Sequence, residues 1–306
     1  MREFSYKTKI AKMLFLSFLC IVVIMCIYYF DINKNSIGST LVGLVAGILL
    51  PYWIQSIVDL TDNKNWKSTH RKLLRVGLMQ KNTEIRISFA YLFRIKINNQ
   101  YLLVQNTRTK KYQPIGGAYK FEEAEADYLK KHIPVENDDR IQVDKITKKD
   151  YRLLVKSKYL RKFVKRFDKT TYRENINDLS REFVEELFPN SIFDKSKFGN
   201  LTYEYCGRHM TNVEYGNVYS HYELLLADIV EVRLTDSQER LLRNLVDKDS
   251  VKYKLATPAE IKSYGVGYGT NVQVDDIANH TPKILIENTD KLIFRNRHEK
   301  VNNIKI

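Results

Sequence analysis

Two uncharged apolar runs near the N-terminus constrain this chain more than any other feature. Met13 to Phe30 reads MLFLSFLCIVVIMCIYYF, and Ile37 to Val58 reads IGSTLVGLVAGILLPYWIQSIV. At 1.5 Å per residue, about 20 apolar residues in a helix cross a hydrocarbon core of ~30 Å. Lipid offers the backbone no hydrogen-bond partners, so a helix is the form such a run takes there. The runs therefore read as transmembrane helices over about residues 12–30 and 37–58, with only DINKNS left between them for a tight turn. Arg2, Lys7, Lys9 and Lys12 precede the first span, Lys64, Lys67, Arg71, Lys72 and Arg75 follow the second, and the turn carries only Lys34. The positive-inside rule then predicts a multi-pass protein with both termini in the cytoplasm. A cleaved signal peptide is the alternative for the first run, but no small-residue cleavage site follows it and the second span would remain. Gly43-x-x-x-Gly47 is a small-xxx-small pattern that lets helices approach and self-associate, although glycine is also common in such helices without that role.

The chain as a whole is strongly basic, with 50 Lys+Arg against 36 Asp+Glu and a net charge of +14. That excess favours nucleotides, nucleic acid or anionic lipid as partners, and serves equally as a juxtamembrane basic belt. Cys20 and Cys26 lie in the first apolar run, leaving Cys206 as the one thiol of the polar part. Neither a disulfide framework nor a zinc set can be built from it, which fits a reducing cytosol.

WKSTHRKLLRVGL reads as a basic amphipathic helix on the inner membrane surface. EIRISFAYLFRIKINNQYLLVQN has the content of two strands joined at Asn98–Gln100, and TKKYQPIGGAYKFEE reads as strand, turn and strand around Pro114 and Gly116-Gly117. A helix is expected over Glu122–His132, then an acidic break, VENDDR. DYRLLVKSKYLRKFVKRFDK reads as a helix with Leu160, Phe163, Val164 and Phe167 on one stripe and Arg161, Lys162, Lys165 and Arg166 on a basic face. That face is either a set of phosphate contacts or a solvated or lipid-facing surface. Another helix is expected from Thr171, with TYRE as a capping box and Ile176, Leu179, Phe183 and Leu187 as its apolar stripe, ending at Pro189. LTYEYCGRHM, VYSHYELLLADIVEVRL and VKYKLATP read as strands, SQERLLRNLV as a helix, and TPAE as the start of one; KILIENTDKLIF is ambiguous. The class is α+β, a mixed sheet flanked by helices. The expected organisation is a hairpin over 1–62, a linker helix over 63–83 and one domain over 84–306.

NDLSREFVEELFP raises the chemical question. At 100° per residue Glu182, Glu185 and Glu186 share one narrow arc, and like charges at i,i+4 destabilise a helix. One answer is a surface helix with Arg181 paired to Glu185. The other is a carboxylate cluster for Mg²⁺ with phosphate oxygens completing the shell. Pro114-x-Gly116-Gly117, Glu123 and Arg181-Glu182-x-x-Glu185-Glu186 together resemble the Nudix box, G-x5-E-x7-R-E-U-x-E-E-x-G-U. Two departures stand out: Ala124–Ser180 replaces the short spacer, and Phe188-Pro189 stands at the terminal Gly-U. With two preceding spans and an inserted KYLRKF helix, the chain is similar to the SMODS-associated NUDIX domain of membrane effectors in CBASS, bacterial anti-phage systems built around cyclic-oligonucleotide synthases.

The resemblance implies a Nudix-like fold in which Glu182, Glu185 and Glu186 bind metal, with Arg181 orienting them and Gly117 opening the loop. It further implies an effector in the bacterial inner membrane whose Nudix-like domain senses a cyclic oligonucleotide from a partner synthase. The ligand then drives homo-oligomerisation of the hairpins and disruption of the bilayer. Ligand contacts are expected from Gly116, Gly117, Arg161, Lys162, Lys165, Arg166 and Arg181. The alternative is a membrane-anchored, Mg²⁺-dependent hydrolase of a nucleoside-diphosphate-linked substrate, with Glu185 and Glu186 catalytic. A basic membrane-surface scaffold accounts for the hairpin and the charge but not for the Pro-x-Gly-Gly turn or the glutamates.

Overall fold

The computed structural model describes residues 2–61, 65–138, 149–216, 219–246, 250–266, 275–293 and 301–306. Lys64 of the basic belt, Asp139 and Arg140 of the acidic break, Val218 and Phe294 lie outside these residues. The chain divides into two compact units, Met1–Lys72 and Leu73–Ile306.

The first unit carries the hairpin. Helices α1 (Arg2–Ile32) and α2 (Ser36–Thr61) contain stretches long and apolar enough to cross a membrane, Ile10–Ile32 and Ser36–Ile57. Their large apolar side chains, Phe15, Phe18, Leu44 and Ile48 among them, are exposed, a surface that lipid accepts and water does not. Lys34 takes a left-handed φ of 53° in the turn, and Asn35 starts α2 by accepting the Gly38 N–H at 3.0 Å. Gly38 is required there, because a Cβ would strike the Phe30 ring. Trp53 Nε1 donates to Ser17 Oγ at 2.9 Å and ties the two helices together. Basic helix α3 (Trp66–Arg75) follows.

The second unit is built on β1 (Glu84–Arg94), whose alternating β-branched and aromatic residues are mostly buried. In order, β2 (Lys96–Ile97), β3 (Gln100–Gln105), β4 (Tyr112–Gln113) and β5 (Gly116–Ala118) follow, then α4 (Glu123–His132), β6 (Val135–Asn137) and β7 (Arg152–Lys156). Next come α5 (Leu160–Lys169), α6 (Arg181–Leu187), α7 (Lys195–Phe198), β8 (Asn200–Met210), β9 (Glu214–Gly216) and β10 (His221–Val232). The chain closes with α8 (Asp236–Val246), β11 (Tyr253–Ala256), α9 (Pro258–Lys262) and β12 (Val301–Lys305). Eight strands form one sheet with the path β12-β8-β10-β1-β7-β6, to which β5 and β9 add beside β1 and β10; β11-β3-β2 with β4 form a second. Only the central β1–β10 pair of the larger sheet is parallel, and its register runs from Ile85↔Tyr222 to Arg94↔Glu231. Burial on both faces is the usual condition of such a pair. The fold is thus mixed α+β, as the sequence implies.

Asn98 and Asn99, at φ 45° and 62°, make the two-residue turn between β2 and β3. Thr257 and Glu260 close a reciprocal capping box on α9. Two expectations need correction. Arg152–Lys156 is strand β7, because Leu153 and Val155 alternate into the core at period two, and only Leu160 onward is helical. Thr171–Ser180 is not helical; α6 begins at Arg181. Arg173 overrides the local capping signal: it stacks on Phe167 at 4.1 Å, donates to the Phe167 carbonyl, and sits in a bridge to Phe121 that holds the backbone extended.

The odd-numbered face of β1 carries the aromatic core. Phe89 meets Phe167 of α5 at 4.7 Å, and Phe93 meets Phe183 of α6 at 5.3 Å. Arg208 forks onto Asp228 beneath α5 at 2.8 and 2.9 Å and reaches Asp168 at 2.6 Å, while Tyr119 donates to Asp228. Burial pushes the Asp228 carboxyl up, but Arg208 and these hydrogen bonds hold it below the usual range.

Candidate functional site

On the even-numbered face of β1, Arg86 and Ser88 floor a cleft of about 550 Å³. The Asn106–Thr109 loop, the Gly116-Gly117 turn and the glutamates of α6 line the rest.

The two halves of the Nudix-like motif meet at this cleft although residues 118–180 separate them in sequence. Gly116 N–H donates to Glu186 Oε2 at 3.1 Å. Gly116 sits at φ 144°, and any Cβ there would meet the Tyr91 carbonyl; one on Gly117 would fall on the Glu182 carboxylate. Glycine is therefore needed at position 116, while a side chain at 117 would displace the Glu182 carboxylate. Arg181 organises the carboxylates. Its Nη1 donates to Glu182 at 2.6 Å and to Glu185 at 3.4 Å, and its Nη2 donates to the Ala118 carbonyl at 3.1 Å. Its remaining bonds go to Glu174, at 2.9 and 3.2 Å. Glu174 also accepts from Tyr91 Oη and from the Lys120 N–H, both at 3.1 Å.

Burial acts on two of these carboxyls. Burial, and then the charge of Glu182, push Glu186 up to about 8 against the lowering effect of the Gly116 N–H. Burial also raises Glu182, although Arg181 opposes it. Burial opposes the charge on Arg181, but Glu174 and Glu182 more than restore it, and the guanidinium stays protonated. Glu185 is 52 % exposed. Among the described residues, no group of three or more His, Cys, Asp or Glu side chains is gathered so as to hold a metal ion. Glu182 is engaged by Arg181 and Glu186 by the turn, so these residues do not form a closed protein cage. A Mg²⁺ here would have to displace the proton that burial keeps on Glu186 and would rest largely on the phosphates of a ligand.

Other predicted residues lie elsewhere. Glu123 is 76 % exposed and pairs with Lys149 at 3.1 Å. Arg161, Lys162 and Lys165 are exposed on α5, with Lys162 bonded to the His132 carbonyl. Arg166 is engaged by the fully buried Glu125, at 2.5 Å for its shortest contact, and stacks over Tyr128 at 3.8 Å. None of these five lines the cleft. Its cations are Arg86, Arg108, Lys120 and Arg152, with Arg181. Arg86 is itself buried and held by Asp138 at 2.5 Å and Glu223 at 3.1 Å; a charged residue inside a core strand is the signal that could have found it. Glu174 was legible as one half of a capping box, and it acts instead as the anchor of Arg181.

The family model of the SMODS-associated NUDIX domain matches residues 84–285, more than half of the chain. No curated protein and no solved structure matches it.

Proposed function

The chain belongs to the SMODS-associated NUDIX domain family, and from that premise we propose that its cleft senses a cyclic oligonucleotide and switches the hairpin into a membrane-disrupting assembly. A NUDIX domain behind two helices of membrane-spanning length fits a CBASS-type effector. The observation that most supports sensing is the lining of the cleft, where Arg86, Arg108, Lys120 and Arg152 accompany carboxylates already held by Arg181 and the glycine turn. Ligand binding shifts the protein toward association only insofar as the associated state binds the ligand more tightly. Gly43 and Gly47 have open space around their Cα atoms, leaving a face on α2 for a second hairpin. The cyclic-oligonucleotide synthase is the functional partner, the inner membrane the site of action, and both termini are cytoplasmic.

A second reading rests on Glu186. A carboxyl titrating near 8 suits a group that exchanges a proton at working pH. In a hydrolase, Mg²⁺ brought by the substrate phosphates would rest on Glu182, Glu185 and Glu186 and supply an activated water. One experiment separates the two. The full chain is reconstituted into dye-loaded vesicles and challenged with cyclic di- and trinucleotides, with and without Mg²⁺. Dye release without product supports the effector. Product whose formation E185Q and E186Q abolish supports the hydrolase, and an inert protein sinks both.

A further inference from the structure

The cleft is not uniformly charged. Lys120 Nζ and Arg152 Nη1 share one carboxylate, that of Asp150, at 2.8 and 3.2 Å. Arg108 projects from the neighbouring loop, exposed and with no acidic partner among the described residues. Among the described lining residues, once Arg86 is set against Asp138 and Glu223 and Arg181 against the glutamates, these three cations stand against the one anion Asp150. The loop is set in place before any ligand arrives, since Asn106 Oδ1 accepts the N–H groups of Arg108 and Thr109 at 2.9 and 3.0 Å, and Asn106 Nδ2 donates to Gln113 at 3.1 Å. Arg152 lies opposite Ser88 in the sheet, while Gly117 and Gly116 lie opposite Tyr91 and Leu92. At about 3.3 Å per residue, the cationic group and the glutamate-bearing turn are thus offset by roughly 10–13 Å along β1.

We infer that Arg108, Lys120 and Arg152 form a phosphate-binding pole, distinct from the basic face of α5, that takes a phosphate or phosphodiester of a nucleotide lying along β1. The inference rests on the cleft being the ligand site proposed above. Guanidinium forks and an ammonium suit phosphate oxygens, and the offset to the glutamates allows a ligand longer than a single phosphate to span both. Asp150 acts as a resident competitor, an anion that a ligand phosphate must outbid for Lys120 and Arg152.

That competition gives the test opposite signs at neighbouring residues. Binding of a panel of cyclic di- and trinucleotides, cyclic di-GMP among them, and of pyrophosphate to the full chain in detergent is measured by calorimetry at low salt. R108E, on an exposed loop, should melt like the wild type and weaken binding at least tenfold, with a shallower salt dependence. D150N should strengthen binding severalfold, and R161E/K165E on α5 should leave it unchanged. A probe that binds wild type and R108E equally overturns the pole and leaves the effector reading standing. Pyrophosphate held through Arg108 by a chain that binds no cyclic di- or trinucleotide supports the pole and removes the effector reading. Failure of wild type to bind any probe overturns the pole.

Discussion

Glu186 should make the folded protein lose stability as pH rises, and replacing it should remove that loss. Its carboxyl goes from the ordinary 4.5 when unfolded to about 8 when folded, through burial and the neighbouring Glu182 charge. Between those values the folded state holds a proton that the unfolded state has released, so stability is full below 4.5 and declines as pH climbs through 8. At 1.36 kcal/mol per pKa unit the whole interval corresponds to about 5 kcal/mol. Glu186 is only half-buried at an open cleft, and water screens its charge, which brings the expected effect down to about 2 kcal/mol. E186Q keeps an acceptor for the Gly116 N–H and cannot ionise. It should therefore exceed the wild type by about 2 kcal/mol at pH 8, a rise in Tm of roughly 4–8 °C, and by less than half of that at pH 5. Near-UV dichroism of the full chain in detergent follows the buried tyrosines through the melt. A gap that is flat from pH 5 to pH 8, or that narrows upward, would refute the assignment of a buried, proton-holding carboxyl.

Gly117→Ala should cost about 1–3 kcal/mol by overpacking, because its Cβ collides with Glu182; in a thermal-melt cycle, pairing it with Glu182→Ala should cost less than the two single changes combined. Arg166→Ala should destabilise by about 2–4 kcal/mol, since it strands the buried Glu125, yet leave ligand affinity in calorimetry unchanged. Arg208→Ala should cost about 3–5 kcal/mol by leaving Asp228 charged and unpaired in the core, read as a lower urea midpoint for loss of the tyrosine signal. Gly47→Ile fills the open face of α2; ligand binding should persist while cross-linked oligomers and dye release from vesicles both fall.

What the sequence made legible was whatever depends on local composition. The hairpin needed only two uncharged runs and the solvent rule of the bilayer. Strands β1 and β3 announced themselves by β-branched and aromatic content, and α9 by its capping residues. What failed depended on partners beyond the three- or four-residue reach of a helical pattern. TYRE has the spacing of a capping box, but the phenylalanine and carbonyl that engage Arg173 and the arginine that engages Glu174 lie elsewhere in the fold. Arg166 stands in a row of cations indistinguishable from its neighbours until Glu125, on another helix, selects it. Arg108, Lys120 and Arg152 are scattered over three segments, and only the sheet register and the loop bring them to one cleft.

The long segment between the halves of the box now bears on function differently from what its length suggests. Had it been an appendage looped out of the fold, the glycine turn and α6 would meet as in an uninterrupted box, and the insertion would add nothing to the site. Instead β7 pairs with β1, Phe163 and Phe167 of α5 fill the core against Phe89, and Glu174 anchors Arg181 at the motif itself. Asp150 and Arg152, from the same segment, line the cleft. The segment therefore does two things at once: it holds the carboxylate end of the site in place through Glu174, and it supplies part of the charged wall at the other end. A box interrupted in this way still brings its two halves together while gaining contacts that a short spacer has no residues to make. On the reading proposed above, these are binding determinants set around a motif whose Glu182 and Glu186 are already held by Arg181 and a backbone N–H, and that combination favours recognition over turnover.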